Sequence, residues 1–325
     1  MRSLPNNFRR MSAIQSPRGC DKALLITFDA FSTLFHPRRP VPELYASIAH
    51  SFGLPKSKVT DERLKAAFKT AFKAQSKAYP NYGREKVLRG RYQGPRQWWS
   101  DLIKMTFAKV LDDEIKDLPH GMVEKLLDVF ASDEGYALYD DVRPFFRDLK
   151  TFKMAKGAFD HVVTGVISNS DDRVPAILKS FGLSIGNVRA DRDRSSMELP
   201  GFEQLGIDDG RNPMPMENDI DMIITSYEAG QEKPNRLIYD VAARQAEQCL
   251  PMIDVSRFPG DSVEWTRIHV GDDAQKDYTG AIDAGWHSLL ISREDTTLDI
   301  PKDAKHIGSL QEVMTEIESI QKQQI

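Results

Sequence analysis

Short apolar runs that end in polar residues constrain the fold of this chain more than any other feature. Five of them occur, at residues 24–28, 161–167, 222–225, 267–270 and 288–291. Continuous runs of this length are typical of strands that are buried on both faces of a parallel sheet. Helical patterns lie between the later runs, at residues 174–181, 237–245 and 275–284. Because such crossovers join parallel strands, the sequence predicts a doubly wound α/β core.

A long segment without strand signals separates the first apolar run from the second. Between about residues 43 and 130, apolar side chains repeat at spacings of three and four, which is typical of helices. One stripe consists of Leu64, Ala67, Phe68, Ala71 and Phe72. A second stripe follows Gly94-Pro95 and consists of Trp98, Trp99, Leu102, Ile103, Thr106, Phe107 and Val110. We expect a separate helical lobe that covers the strand ends.

These patterns divide the chain into a tail, a core and an inserted lobe. The basic tail covers residues 1–23, the core covers 24–36 and 140–325, and the helical lobe covers 37–139. Within the core, residues from about 187 to 217 are rich in Asp, Arg, Pro, Gly and Met, which predicts a flexible insertion. Residues 250–261, with two prolines, predict a second loop.

Composition excludes several classes of protein. The 325 residues correspond to about two domains. With 44 Lys and Arg against 48 Asp and Glu, the net charge of −4 argues against a nucleic-acid binder, and no apolar run reaches the roughly 18 residues of a membrane span. The isolated Cys20 and Cys249 fit no disulfide framework or thiolate metal site, so we expect a reducing compartment. A small molecule is the expected partner, and the oligomeric state is left open.

The N-terminus differs from the rest of the chain. Four arginines and three serines precede the first acid, Asp21, which resembles a mitochondrial transit peptide. The alternatives are a basic tail or an extension upstream of a second start at Met11, because Pro5 and Pro17 weaken any amphipathic helix. The expected location is cytoplasmic or nuclear, with a mitochondrial location as the alternative.

Chemically useful side chains follow four of the predicted strands. In an open parallel sheet, ligands bind outside the carboxyl ends of the strands. Asp29 follows the first run, and Ser168 with Asn169 follows the next. Lys233 lies beyond the third run, and Asp272 lies beyond the fourth. One carboxylate, one hydroxyl, one amine and an acidic cluster should therefore meet at one edge of the sheet.

The order and spacing of these residues resemble the four motifs of the haloacid dehalogenase (HAD) superfamily. Those motifs are Asp-x-x-x-Thr, a Ser or Thr, a Lys and an acidic Gly-Asp loop, here represented by Asp29, Thr33, Ser168, Lys233 and Asp272. The match runs from about residue 24 to residue 291 and implies a HAD-like (Rossmannoid) core with the helical lobe as a type I cap. Segments 97–101, 106–107, 167–169 and 225–234 resemble the branch called haloacid dehalogenase-like hydrolase domain-containing protein 3.

Each motif residue also has a physical role. Asp29 can attack an electrophilic centre and form a covalent intermediate, while Thr33 can hydrogen-bond the carboxylate of Asp29. Ser168 and the amide of Asn169 can bind the oxygens of the transferred group, and Lys233 can neutralise charge in the transition state.

A metal site is predicted beside these groups. Asp29, Asp272 and the backbone carbonyl of Phe31 offer the hard oxygen ligands that suit Mg²⁺. Asp273 and Asp277 are candidates to support this site, with Asp277 counted among its ligands. Alternatively, both acids favour the N-terminus of the following helix.

Phe31 departs from the phosphatase pattern. Phosphatase members carry a second Asp there, which protonates the leaving oxygen, and loss of such an acid typically costs about 10² to 10⁴ in rate. An aromatic residue at this position is similar to the 2-haloacid dehalogenases, whose halide leaves without a proton. Those enzymes carry neutral Ser and Asn where this chain has Asp272 and Asp273, and a carboxylate cluster requires a cation.

Three functional interpretations follow. The favoured one is a Mg²⁺-dependent hydrolase that acts through phospho-Asp29 on acyl or aryl phosphates and acts poorly on alkyl phosphates. The second is a binding or regulatory protein that retains the fold and the metal but turns over little. The third, and the least favoured, is a dehalogenase.

Overall fold

The computed structural model describes residues 20–111, 117–155, 157, 159–190, 218–253, 262–293 and 302–323. Predictions for the basic tail before residue 20, for most of the 187–217 insertion and for residues 254–261 lie outside these residues. The loops were nevertheless predicted too wide, because Asn187 and Val188 belong to a strand, and residues 250–253 end a helix.

A seven-stranded parallel sheet forms the centre of the molecule, as the apolar runs predict. Its spatial order is β5-β6-β4-β1-β7-β8-β9. These strands are β1 (Asp21–Phe28), β4 (His161–Ser168), β5 (Ile185–Val188), β6 (Ile220–Thr225), β7 (Val263–Gly271), β8 (His287–Ile291) and β9 (His306–Ile307). Since β1 begins at Asp21, it includes the last three residues that the sequence assigned to the tail.

Both faces of the sheet are covered by helices, which confirms the doubly wound class. On one face, the ring of Phe28 lies 5.3 Å from that of Phe145 in α6 (Val142–Met154). α7 (Arg173–Ser180) and α11 (Gln311–Gln323) complete this layer. On the opposite face, Leu25 packs in a second cluster with α9 (Arg236–Ile253) and α10 (Gly280–Asp283). Successive residues of β1 are therefore buried in two different cores.

Between the first and second long strands of the sheet, the described residues form five helices. They are α1 (Val41–Ser51), α2 (Asp61–Ala78), α3 (Pro80–Leu88), α4 (Pro95–Val110) and α5 (Met122–Val129). We call residues 41–129 the helical insert. The predicted stripe on α4 is buried except for the half-buried Trp99, whereas Phe72 of α2 is 41% exposed, contrary to the predicted stripe.

A short two-stranded ribbon joins the insert to the core. β2 (Phe35–Pro37) pairs antiparallel with β3 (Tyr136–Leu138), with Phe35 opposite Leu138. The ribbon carries the chain out of β1 and back into α6. The outgoing and returning connections are thus hydrogen-bonded to each other, directly beside the carboxyl end of β1.

Candidate active site

The carboxyl ends of neighbouring strands bring the predicted site residues to one edge of the sheet. Asp29 follows β1, and its backbone N–H donates to the carbonyl of Val270 in the neighbouring β7 at 2.8 Å. Ser168, which is buried, ends β4 on the other side of β1. Asp272 follows β7 directly, so three adjacent strands deliver three of the predicted side chains.

Lys233 lies at the centre of the site. Its ammonium is 2.6 Å from Asp29 Oδ1, 2.6 Å from Asp277 Oδ1 and 2.7 Å from the carbonyl oxygen of Ile167. Burial acts to lower the pKa of Lys233, but the carboxylates of Asp277 and Asp29 raise it above its usual value. The lysine is therefore a fixed cation, and it accepts no proton from a substrate.

A reciprocal pair of hydrogen bonds positions the loop that carries Lys233. The Lys233 N–H donates to Asn169 Oδ1 at 2.6 Å, and Asn169 Nδ2 donates to the Lys233 carbonyl at 2.9 Å. Asn169 was predicted to contribute its backbone amide to substrate binding. Its side chain has a further role that the sequence did not indicate, since it joins the loop after β4 to the loop after β6.

Asp29, Asp272 and Asp277 form an acidic trio, with one oxygen from each within 4.8 Å of the others. Burial raises the pKa of Asp29 to about 6, against the lowering effect of Lys233. Burial and the carboxylates of Asp29 and Asp277 raise the pKa of Asp272 to about 7. For Asp277, burial is outweighed by the Lys233 ammonium, which holds the pKa well below its usual range. Three carboxylates face one ammonium, so the site favours an additional cation.

The two remaining acids of the fourth motif differ in role. Asp273 caps the π-helical turn Ala274–Thr279, because its Oδ1 accepts from the N–H groups of Gln275 and Lys276. Asp277 is buried, and its Oδ2 accepts from the Asp273 N–H at 3.0 Å. Asp273 therefore lies at the N-terminus of the following helical turn, as the alternative interpretation predicts, whereas Asp277 belongs to the acidic trio. A side chain at Gly271 would overlap the carboxylate of Asp277, so this position requires glycine.

Thr33 contacts a different carboxylate from the one predicted. Its Oγ1 lies 3.4 Å from Asp272 Oδ1, and no contact with Asp29 is found among the described residues. Its backbone carbonyl accepts two hydrogen bonds from Arg293, from Nε at 3.0 Å and from Nη2 at 2.6 Å. Arg293 also binds Asp141 Oδ2 through Nη1 at 2.7 Å. Sequence reasoning missed Arg293, which fixes the turn after Asp29, the predicted nucleophile.

Phe31 packs with other aromatic rings. Its ring centroid lies 4.7 Å from that of Phe35 and 5.6 Å from that of Tyr136, both in edge-to-face geometry. Phe31, two residues after Asp29, therefore packs against the ribbon that joins the core to the insert, and its side chain cannot donate a proton.

A matching family model completes the assignment suggested by this geometry. The model of the haloacid dehalogenase-like hydrolase family matches residues 24–285. The chain belongs to this family. An uncharacterized protein of Saccharomyces cerevisiae is 27% identical over 274 residues, which is 84% of this chain and 73% of that protein. Haloacid dehalogenase-like hydrolase domain-containing protein 3 of Bos taurus is 28% identical over 283 residues, or 86% of each chain.

Among solved structures, a 2-haloacid dehalogenase from Pseudomonas syringae aligns with a TM-score of 0.49 at 14% identity, covering 92% of this chain and 99% of that one. Within the described ranges of this haloacid dehalogenase-like protein, no helix has the length and apolar character needed to cross a membrane.

A buried histidine lies beneath the site of this haloacid dehalogenase-like protein. His269 of β7 is fully buried, with Nε2 3.2 Å from Asp277 Oδ1 and Nδ1 2.8 Å from Thr27 Oγ1. Burial lowers the pKa of His269, so the ring is neutral at pH 7. Because the Asp277 carboxylate only accepts, we assign the proton to Nε2, and the Thr27 hydroxyl donates to Nδ1. These hydrogen bonds fix the orientation of the Asp277 carboxylate.

The helical insert is hydrogen-bonded to the loop after β4. Trp99 Nε1 donates to Asp171 Oδ2 at 2.7 Å, and Arg173 Nε donates to Asp171 Oδ1 at 2.8 Å. The guanidinium of Arg173 lies 4.0 Å from the centre of the Trp99 ring. Asp171 is fully buried, so its charge is compensated by both partners. Trp99, predicted only as a packing residue, thus joins the insert to the core.

A left-handed turn at the start of α3 makes a second connection. Asn81 and Tyr82 have φ values of 45° and 58°, which strain the backbone of residues with a side chain. Asn81 Nδ2 donates to the carbonyl of Ser226, the first residue of α8 (Ser226–Ala229), at 2.8 Å. The Tyr82 hydroxyl lies 3.4 Å from the Asn169 carbonyl. The strained turn therefore places insert side chains on the segments that follow β4 and β6.

Proposed function

We propose that this protein is a Mg²⁺-dependent hydrolase that cleaves phosphate monoesters and acyl phosphates with good leaving groups through an aspartyl-phosphate on Asp29. The observation that carries the proposal is the contact of Lys233 with Asp29 Oδ1 at 2.6 Å beside two further carboxylates. A carboxylate at a strand end, held by a fixed ammonium, is suited to attack phosphorus.

The donor set fits Mg²⁺, because three carboxylates within 4.8 Å of one another offer only hard oxygen atoms. Asp29, Asp272, Asp277 and the Phe31 carbonyl would hold the ion. When bound, Mg²⁺ neutralises negative charge on the phosphoryl oxygens. The raised pKa values of Asp29 and Asp272 agree with a site that is short of positive charge.

In the first step, a carboxylate oxygen of Asp29 attacks phosphorus, and the bond from phosphorus to the leaving oxygen breaks. The leaving group takes the electron pair and departs as an anion, because Phe31 offers no proton. Lys233 holds Oδ1, which makes Oδ2 the attacking oxygen. In the second step, water attacks the phosphorus, and the bond from phosphorus to Asp29 Oδ2 breaks with its electron pair returning to the carboxylate. The proton of the attacking water passes to solvent or to the phosphate that is released. Ser168 and Asn169 hold the phosphoryl oxygens through both steps.

A second candidate is a weakly active or non-catalytic binding or regulatory protein. The packing of Phe31 against Phe35 and Tyr136 favours it, since the position of the usual acid is filled by an aromatic cluster. A 2-haloacid dehalogenase is disfavoured by Asp272, because the acidic trio would repel a departing halide.

Hydrolysis of acetyl phosphate, para-nitrophenyl phosphate and 2-chloropropionate, each with Mg²⁺ or with a chelator, tests these alternatives. We expect Mg²⁺-dependent release of phosphate from the first two compounds and no release of chloride. Asp29→Asn should abolish turnover, and acid-quenched native protein should carry one phosphoryl group on Asp29 by mass spectrometry. Asp273→Asn is the matched control, because it makes the same change at an acid that caps a helix. No phosphate release from either compound supports the binding protein instead.

A further inference from the structure

A cavity of about 80 Å³ lies inside the helical insert, at the point where the insert meets Arg173 of the core. Its walls are mainly rings and branched aliphatic side chains, including Phe68, Ile103 and Leu126. The ring of Tyr45 lies 5.4 Å from that of Phe130, and both line the space. Such walls are suited to a flat apolar group.

Residues on two sides of the cavity contact the loops that follow β1 and β4. Tyr136 lines the cavity, and its ring contacts that of Phe31, two residues after Asp29. On the other side, Trp99 and Arg173 line the cavity and bind Asp171, two residues after Asn169. Side chains that line the cavity therefore contact the two loops that carry Asp29 and the groups expected to hold the phosphoryl oxygens.

The charged groups of the cavity are already compensated. Asp171 accepts hydrogen bonds from Trp99 Nε1 and from Arg173 Nε, and the guanidinium stacks on the Trp99 ring. A sugar bound there would lose the hydrogen bonds that its hydroxyl groups make with water, and few side chains could replace them, because six of the ten lining residues are wholly apolar and the others are Tyr45, Trp99, Tyr136 and Arg173. An apolar ring gives up no such bonds.

We infer that the cavity receives the leaving group of the substrate and that this group is a single aryl ring, so that the substrate is an aryl phosphate. This inference rests on the proposed function. The chemistry at Phe31 agrees with it independently, because a phenolate departs with the electron pair of the broken bond and needs no proton from the protein. The phenolate takes its proton from water after release.

The test compares para-nitrophenyl phosphate, which carries the ring, with acetyl phosphate, which does not. Ile103→Phe fills the cavity, and the ratio of kcat/KM for the aryl over the acyl substrate should fall about tenfold or more. Met105→Phe is the matched control, because it makes a similar enlargement on the same helix outside the cavity lining, and it should leave the ratio unchanged. An unchanged ratio in folded Ile103→Phe overturns the inference.

Two further experiments test the inference if Ile103→Phe does not fold or if the native protein hydrolyses neither phosphate. Ile103→Ala enlarges the cavity and should raise kcat/KM for naphthyl phosphate relative to para-nitrophenyl phosphate. Titration of para-fluorophenol, followed by fluorine NMR, should show saturable binding that weakens about tenfold in Ile103→Phe. If the native protein hydrolyses neither phosphate, the proposed function fails. Equal affinity of the native protein and Ile103→Phe for para-fluorophenol then overturns the aryl site as well.

Discussion

Removing the ammonium of Lys233 should leave the acidic trio without the cation that directly contacts two of its carboxylates. Lys233→Met preserves most of the buried aliphatic stem and deletes two ion pairs of 2.6 Å, in a side chain that is 2% exposed. Breaking a buried pair by removing one partner typically costs about 3–5 kcal/mol. We expect a loss of unfolding free energy in this range at pH 8, measured by urea unfolding in the presence of a chelator.

The loss should depend on pH with a definite sign. Without the lysine, the pKa values of Asp29 and Asp277 rise in the folded state, so the folded variant binds more protons than the unfolded chain. Its stability therefore increases as the pH falls from 8 to 5, by about 1.4 kcal/mol for each pH unit that lies between the raised pKa of a carboxyl group and pH 5. In the native protein, Asp277 keeps its depressed pKa and stays ionised over this range. Asp29 and Asp272, with pKa values of about 6 and about 7, already give the native protein some gain in stability as the pH falls, so the prediction concerns the additional gain in the variant.

Lys276→Met is the matched control for this measurement. Lys276 pairs with Asp273 at 2.8 Å, but its side chain is 51% exposed, and such surface pairs contribute about 0–1 kcal/mol. A loss in Lys233→Met no larger than that of the control, or an equal loss at pH 8 and pH 5, would refute the buried-charge argument.

Three further outcomes are expected. Asp272→Asn should weaken Mg²⁺ binding in calorimetry at least about tenfold, because it removes an anionic ligand; unchanged affinity would exclude Asp272 from the metal site. Phe31→Asp should raise rates on alkyl phosphates relative to para-nitrophenyl phosphate, since it restores an acid, and an unchanged dependence on leaving-group basicity would contradict this. Trp99→Phe should lower the unfolding free energy by about 1–3 kcal/mol, because Asp171 loses a buried donor, whereas an unchanged urea midpoint would show that this bond contributes nothing.

The strands that the sequence revealed are those buried on both faces. β1 and β4 consist almost entirely of buried residues, so their runs are continuous. The four residues of β5 include an exposed Asn187, and β9 has two residues, one of them exposed. At the edges of a sheet, short strands need no apolar run, and their sequences resemble loops.

The convergence of Asp29, Lys233 and Asp272 was predictable, because topology places the ends of parallel strands together. Which oxygen each group contacts depends on side-chain rotamers, so the contact of Thr33 with Asp272 rather than Asp29 could not be predicted from the order of the residues. The hydrogen-bonding role of His269 was predictable from the sequence, since a polar residue inside a buried run requires a hydrogen-bonding partner. The role of Arg293 was not, because an arginine after a final strand looks like an ordinary surface residue.

The double hydrogen bond from Arg293 to the Thr33 carbonyl spans 260 positions of the chain. During synthesis, the turn that follows Asp29 leaves the ribosome long before the arginine that fixes it is made, because Arg293 lies 260 residues after Thr33. The acidic trio is also incomplete until Asp277 has been synthesised. A nascent chain therefore exposes Asp29 long before it can hold that carboxylate in place, and the site is assembled only after Lys233, Asp277 and Arg293 have all been made.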